Sequence, residues 1–187
     1  MKNIKNLKIV ITEVEAVIGS KIAQIHSQAD AKVVICDKDQ EVLDQFSKNN
    51  PEVITLKADV SNEEEVTSFF NEIKDHFGEI NSLINNAGIA GPSAKLEDTN
   101  FDDWKNTLSV NLNGTFLCTK SAIPLVSSAG GGSIIKICST SSFMGTPLRS
   151  SYSATKWGLI GFTKTWAMEY GVDNMRINTI CPSSVNG

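Results

Sequence analysis

The chain has 187 residues, of which 41% are hydrophobic and 20% are charged, and its net charge is −4. This size and composition predict one globular domain over residues 1–187 and argue against nucleic acid or membrane as a partner, because the chain has no basic surplus to neutralise phosphates. The apolar runs are too short to span a bilayer, and the first residues lack a signal-peptide cleavage region. Together with dispersed cysteines that predict buried thiols, these features favour a cytoplasmic location.

Short β-branched segments alternate with longer segments of helical periodicity from one end of the chain to the other. The predicted strands are residues 7–12, 32–37, 53–58, 80–85, 133–139 and 176–181. A long helix is predicted over 101–126, and an earlier one begins after Ser61 and Asn62, which are plausible caps. Strands that are apolar on both faces and separated by helices predict an α/β fold with a doubly wound parallel sheet.

The first strand-to-helix turn, residues 12–19, lies where dinucleotide-binding folds hold a pyrophosphate. Glycine at such a turn lets backbone amides approach the phosphates. Here Gly19 is the one glycine, and Glu13 brings a carboxylate and Val17 a β-branched side chain to this turn. By itself the turn is therefore a weak indication of a cofactor site.

Acidic residues follow the second and third predicted strands. Asp37 can accept hydrogen bonds from ribose hydroxyls and repel a 2′-phosphate, which favours NAD(H), while the adjacent Lys38 leaves NADP(H) as an alternative. Asp37 could also simply end a strand. Asp59 and Val60 fit either a contact with adenine or a helix cap.

Four polar residues follow in order along the second half of the chain. Asn111 lies on a predicted helix, Ser139 follows the fifth strand, and Tyr152 and Lys156 share one helix face at a spacing of four. A cation close to a phenol stabilises the phenolate, so this pair is suited to proton transfer. The run of residues 85–88, Asn-Asn-Ala-Gly, follows the fourth strand.

This ordered set resembles the single-domain short-chain dehydrogenase/reductase family. The family's T-G-x-x-x-G-x-G turn aligns with residues 12–19, its N-N-A-G run with 85–88, and its Y-x-x-x-K motif with 152–156. The resemblance covers nearly the whole chain. It implies a Rossmann-type sheet of strand order 3-2-1-4-5-6 and an NAD(P)(H)-dependent oxidoreductase that interconverts a secondary alcohol and a ketone.

The resemblance also implies roles for individual residues. Tyr152 would be the general acid and base, Lys156 would bind the nicotinamide ribose, Ser139 would bind the substrate oxygen, and Asn111 would hold a water. A homodimer or homotetramer would form through the helices around 101–128 and 151–171. The implied cofactor-binding residues are Thr12, Ile18, Gly19, Asp37, Asp59, Val60, Asn86, Ala87, Gly88, Tyr152, Lys156, Pro182 and Val185.

The sequence departs from the family pattern at several positions. Glu13 and Val17 replace glycines, Ser183 replaces the glycine after Pro182, and the chain ends at Gly187. The family continues with a substrate-covering segment and a seventh strand, so we expect a fold that is truncated relative to the family. These departures favour an alternative, a non-catalytic scaffold or interaction protein; a dehydratase or epimerase is a third hypothesis. No metal site is predicted, since His26 and His76 lack neighbours at metal-ligand spacing.

Overall fold

Six parallel strands form one sheet in the computed structural model, which describes residues 4–15 and 17–183. The strand order is β3-β2-β1-β4-β5-β6, as the family resemblance implies. The predicted α/β doubly wound fold is therefore confirmed. The strands are β1 (Lys8–Thr12), β2 (Lys32–Asp37), β3 (Ile54–Lys57), β4 (Ser82–Asn85), β5 (Gly132–Ile137) and β6 (Met175–Ile180).

Helices connect successive strands and cover both faces of the sheet. They are α1 (Val17–Gln28), α2 (Gln40–Asn49), α3 (Glu63–Phe77), α4 (Phe101–Leu108), α5 (Gly114–Ser128) and α6 (Ser150–Tyr170). Of the two predicted caps of α3, Asn62 accepts the amide N–H groups of Glu64 and Glu65. None of the helices in the described residues combines the length and apolar character that a membrane-spanning segment needs.

The long helix predicted over 101–126 is interrupted at its centre. A π-helical turn, Ser109–Asn113, joins α4 to α5. The apolar periodicity of the sequence did not reveal this turn, because one extra residue per turn disturbs a spacing of three or four very little.

Alternate side chains of the strands pack into two separate hydrophobic cores, one on each face of the sheet. On one face, Val10 and Val34 pack with buried residues of α3 and α5. On the other, Ile11 and Ile35 pack with buried residues of α1 and α2. Burial on both faces explains why the strand sequences are continuously apolar rather than alternating. It also leaves the ends of the strands as the place where polar side chains collect.

A run of three glycines, residues 130–132, leads from α5 into β5. Gly131 has a φ of +110°, and a side chain there would collide with the carbonyl of Asn174. The cluster thus allows the loop after α5 to pass against the segment that leads into β6.

Candidate functional site

The carboxyl ends of β1 and β4 are tied together where the strand order reverses. Thr12 Oγ1 accepts the amide N–H groups of Asn86 and Ala87, each at 3.0 Å. Asn86 Nδ2 donates to the carbonyl of Glu13 at 3.2 Å. In doubly wound sheets the ligand crevice opens at this reversal, so the crevice beside Thr12, Asn86 and Ala87 is the candidate site.

A pocket opens beside these residues at the ends of β1, β2 and β3. Its lining includes the predicted residues Asp37, Asp59, Val60 and Ala87, and also Glu13. The Asp37 carboxylate is buried and accepts amide N–H groups from Val14, Glu15 and Asp39, each at 3.1 Å. Asp37 therefore does more than end a strand, since it fixes the first turn while facing the pocket.

The two interpretations of Asp59 are resolved in part by its hydrogen bonds. Its Oδ1 accepts the backbone N–H of Ser61 at 2.8 Å and the Ser61 hydroxyl at 2.7 Å. The cap of α3 is Asn62, so Asp59 shapes the turn before that helix and lines the pocket.

Glu13 has a φ of +68°, in the left-handed region that glycine adopts most readily. Its side chain reaches across the crevice, where Oε2 accepts the amide N–H of Gly88 at 3.2 Å. Burial raises the pKa of Glu13 to about 7, helped by the charges of Asp37 and Glu15 and opposed by the Gly88 N–H and by Lys156. The sequence predicted a carboxylate near this turn, but not that it would bridge to the Asn-Asn-Ala-Gly segment.

Gly19 and Ile18 have different surroundings in the first turn of α1. A side chain on Gly19 would collide with the Glu13 carbonyl, so the turn still requires this glycine. Ile18 packs against the core on the α1 face and does not line the pocket. Val17 begins α1 and is exposed.

Asn111 lies in the π-helical turn and holds the loop after β4. Its Oδ1 accepts the N–H of Ile89 at 2.8 Å, and its Nδ2 donates to the Ile89 carbonyl at 2.9 Å and to Thr155 Oγ1 at 3.1 Å. π-Helical turns are frequent at functional sites. Here the turn brings a fully buried amide to the loop that carries Gly88.

Tyr152 and Lys156 lie in the first two turns of α6, on one face. Lys156 Nζ is 5.4 Å from the centroid of the Tyr152 ring and donates to the carbonyl of Ile137 at 3.0 Å. Burial lowers the pKa of Lys156. A Cβ added to Gly88 would lie 3.4 Å from both Asn111 Oδ1 and Lys156 Nζ, so these groups flank one small space.

Ser139 ends the extended segment that follows β5 and opens a short 3-10 turn, Thr140–Ser142. Its Oγ accepts the N–H of Ser141 at 3.2 Å, which leaves the hydroxyl proton for donation. The carbonyl of Pro182 accepts the N–H of Thr140 at 3.0 Å, so the end of β6 lies beside Ser139. The predicted cofactor contact Val185 lies outside the described residues.

Two residues that support the site, Thr155 and Arg149, were not predicted from the sequence. Thr155 falls inside the Y-x-x-x-K motif, but its partner Asn111 is 44 positions away, so only the folded chain pairs them. Arg149 Nη1 donates to the carbonyls of Ala90 and Gly91, at 3.3 and 2.8 Å, and holds the loop beyond Ile89. No sequence signal marked Arg149.

Comparison with known proteins gives a consistent result. A family model described as short chain dehydrogenase matches residues 8–187. The chain is 36% identical over 189 residues to an uncharacterized oxidoreductase, YxbG, of Bacillus subtilis strain 168, with 99% of this chain and 69% of that protein covered. It is 37% identical over 177 residues to trans-4-hydroxycyclohexanecarboxylate dehydrogenase of Sinomonas cyclohexanicum, with coverages of 89% and 68%.

Two solved structures have the same fold. Levodione reductase superposes with a TM-score of 0.91 at 30% identity, over 96% of this chain and 72% of that one. NAD+-bound xylitol dehydrogenase superposes with a TM-score of 0.94 at 25% identity, over 100% and 73%. The match of motifs, fold and relatives leads to one conclusion: the chain belongs to the short-chain dehydrogenase family of oxidoreductases.

Proposed function

We propose that the protein interconverts a secondary alcohol and a ketone with a nicotinamide cofactor, and that NAD(H) is preferred over NADP(H). The main observation in support is that Tyr152, Lys156 and Asn111 lie close together beside the crevice. The pocket at the other end of this crevice contains the buried carboxylate of Asp37. One relative of similar fold, xylitol dehydrogenase, has been solved with NAD+, which supports the choice of cofactor.

The residues of the pocket fit the nucleoside half of such a cofactor. Asp37 would accept ribose hydroxyls, while Val60 and Ala87 offer apolar surface to a base. Lys156 would bind the nicotinamide ribose at the other end of the crevice. The bound cofactor would carry the hydride, and the protein's own side chains would manage the proton.

Proton transfer would centre on the Tyr152 hydroxyl. In ketone reduction Tyr152 would donate a proton to the substrate oxygen, and the nearby Lys156 ammonium would stabilise the phenolate left behind. Ser139, whose oxygen accepts the Ser141 N–H, would donate its own proton to the same substrate oxygen.

Asn111 would complete the path that returns the proton to Tyr152. Its Oδ1 uses one lone pair for Ile89, and a carbonyl oxygen has two. A water held by the second lone pair would lie near Lys156, because both groups flank the space beside Gly88. That water would link Lys156 to solvent.

The test is turnover of a panel of small secondary alcohols and ketones, followed by nicotinamide absorbance, with NADH binding measured separately by fluorescence. Tyr152→Phe should lower turnover by about 100-fold or more, the usual contribution of a general acid or base. Its NADH affinity should stay within about threefold. Tyr170→Phe, at the far end of α6, is the matched control and should retain turnover. Unchanged turnover in Tyr152→Phe would refute the assigned role.

A second candidate function is a non-catalytic scaffold, and Glu13 is the observation that favours it. Its carboxylate occupies a turn where phosphate-binding relatives have glycine. A folded wild-type chain and a folded Glu13→Gly variant that both fail to bind NADH would support this alternative. In either case we propose a cytoplasmic homodimer or homotetramer that associates through α4, α5 and α6.

A further inference from the structure

The Glu13 side chain lies between the pocket and the segment that carries Gly88. It lines the pocket that contains Asp37 and Asp59, and its carboxylate binds the N–H of Gly88 on the opposite wall. Gly88 also flanks Lys156, which is close enough to act electrostatically on Glu13. A dinucleotide that extends from the pocket to Tyr152 and Lys156 therefore has to pass Glu13.

The part of a dinucleotide between its two nucleosides is the pyrophosphate, which carries negative charge. Asp37 from β2 and Glu15 from the same turn also face Glu13 with negative charge, and Lys156 from α6 faces it with positive charge. Cys36 lies close by, but burial raises its pKa to about 12, so it is a neutral thiol. Lys38, at the mouth of the pocket, is exposed. The surroundings thus offer one buried cation to a ligand that would bring further anionic groups.

We propose that Glu13 controls the charge that the crevice accepts: the ionised carboxylate excludes the pyrophosphate of a dinucleotide, and the dinucleotide binds when the carboxyl group is protonated. This inference rests on the proposed function and adds to it a residue that determines ligand specificity. It follows from the position of the side chain, which bridges the two walls at the point where the phosphates must cross.

The pKa of Glu13 places the change in its charge near neutral pH. Burial raises the pKa of Glu13 to about 7, so the carboxyl group is mostly neutral at pH 6 and mostly ionised at pH 8. If binding requires the neutral form, linkage gives an affinity about tenfold lower at pH 8 than at pH 6. A nucleoside without phosphate, such as adenosine, brings no negative charge to the carboxylate and should show no such dependence.

The experiment is NADH binding to the purified chain at pH 6, 7 and 8, measured by nicotinamide fluorescence, with adenosine binding measured by calorimetry. Binding is the chosen readout because catalysis would add the titration of other groups. The variants are Glu13→Gln, which keeps the shape of the side chain without the charge, and Glu13→Gly. Glu15→Gln removes an equal charge from the same turn and is the matched control.

We expect the wild type and Glu15→Gln to lose about tenfold in NADH affinity between pH 6 and pH 8. For Glu13→Gln and for Glu13→Gly, the NADH affinity should be the same at pH 6, 7 and 8. The affinity of the wild type for adenosine should likewise not change with pH. Wild-type NADH affinity that does not change with pH would overturn this inference and leave the proposed function standing. Failure of every folded variant to bind NADH would overturn both.

Discussion

At the scale of single residues, Glu13 is the feature that most separates this chain from a glycine-rich cofactor turn. A non-glycine residue with a φ of +68° is an uncommon conformation. The Gly88 N–H donates to the carboxylate and so holds the side chain in place. Burial and two neighbouring carboxylates make ionisation of this carboxyl group unfavourable, which is a cost in the stability of the fold.

This cost predicts a pH-dependent gain in stability for Glu13→Gln. The pKa of Glu13 is raised from 4.5 to about 7 on folding, so the neutral form stabilises the fold below 4.5 and that advantage is lost as the pH rises through 7. The variant should be more stable than the wild type by about 1–3 kcal/mol at pH 8 and equally stable at pH 4. Urea unfolding at both values is the measurement. Glu15→Gln removes an exposed carboxylate that opposes the charge of Glu13, so it should give a smaller gain at pH 8 and none at pH 4.

Lys136 is a second residue whose charge is costly. It is the next-to-last residue of β5 and is 0% exposed, and its Nζ has no hydrogen-bond partner in the described residues. It lies 4.7 Å from the centroid of the Trp166 ring, a cation–π contact that offsets part of the desolvation. Burial lowers its pKa to about 8.

We therefore expect Lys136→Met to stabilise the protein more at low pH than at high pH. The lysine pKa falls from 10.5 to about 8 on folding, so the penalty for the buried cation is complete below 8 and disappears above 10.5. The gain should be about 1–3 kcal/mol at pH 6 and much smaller at pH 10. Thermal or urea unfolding across this range would show it, with Lys57→Met on an exposed position of β3 as control. A variant that is destabilised at pH 6 would show that the contact with Trp166 outweighs desolvation.

At the scale of elements, the π-helical turn between α4 and α5 organises the candidate site. It directs the Asn111 amide to the loop after β4 and to α6, and so joins three parts of the chain. The same loop carries Gly88, which receives the Glu13 carboxylate. The geometry of the crevice thus depends on a local distortion of one helix.

Removal of this amide should loosen the crevice. Asn111→Ala leaves the backbone N–H and carbonyl of Ile89 without their partners, and we expect a loss of about 2–3 kcal/mol in the free energy of unfolding. Asn113→Ala, an exposed position of the same turn, should have a small effect. Urea unfolding would compare the two, and hydrogen exchange should show faster exchange at Ile89 in the first variant. Equal stabilities of the two variants would mean that the loop after β4 keeps its conformation without the Asn111 side chain.

At the scale of the whole molecule, α4, α5 and α6 present large apolar side chains to solvent. Phe101 is 69% exposed, Phe116 is 44% exposed and Trp157 is 52% exposed. A groove lined by Phe116, Ile123, Pro124, Trp166 and Tyr170 continues this surface. A contiguous apolar surface such as this groove is typical of protein–protein interfaces, which agrees with the proposed association through these helices.

The proposed association predicts that a charge on this surface yields monomers. Phe116→Glu should shift the protein from dimer or tetramer to monomer in sedimentation velocity, because a carboxylate would be buried without a partner in the interface. Ile25→Glu is the control: Ile25 is 53% exposed on α1, away from the proposed contact, and its substitution should leave the assembly unchanged. A wild-type chain that sediments as a monomer would contradict the proposal.

The sequence by itself determined the order and type of the elements, because continuous β-branched runs and apolar periods of three or four report burial directly. It also led to the prediction that Asn111, Ser139, Tyr152 and Lys156 are the catalytic residues, since fixed residue types at fixed spacings carry the family motif. The tertiary structure decided what depends on contacts between distant segments: the bridge from Glu13 to Gly88, the pairing of Asn111 with Thr155, and the burial of Lys136 beneath Trp166. These contacts determine the charge and the solvent exposure of the side chains. They form between residues far apart in the chain, and only the folded sheet brings those residues together.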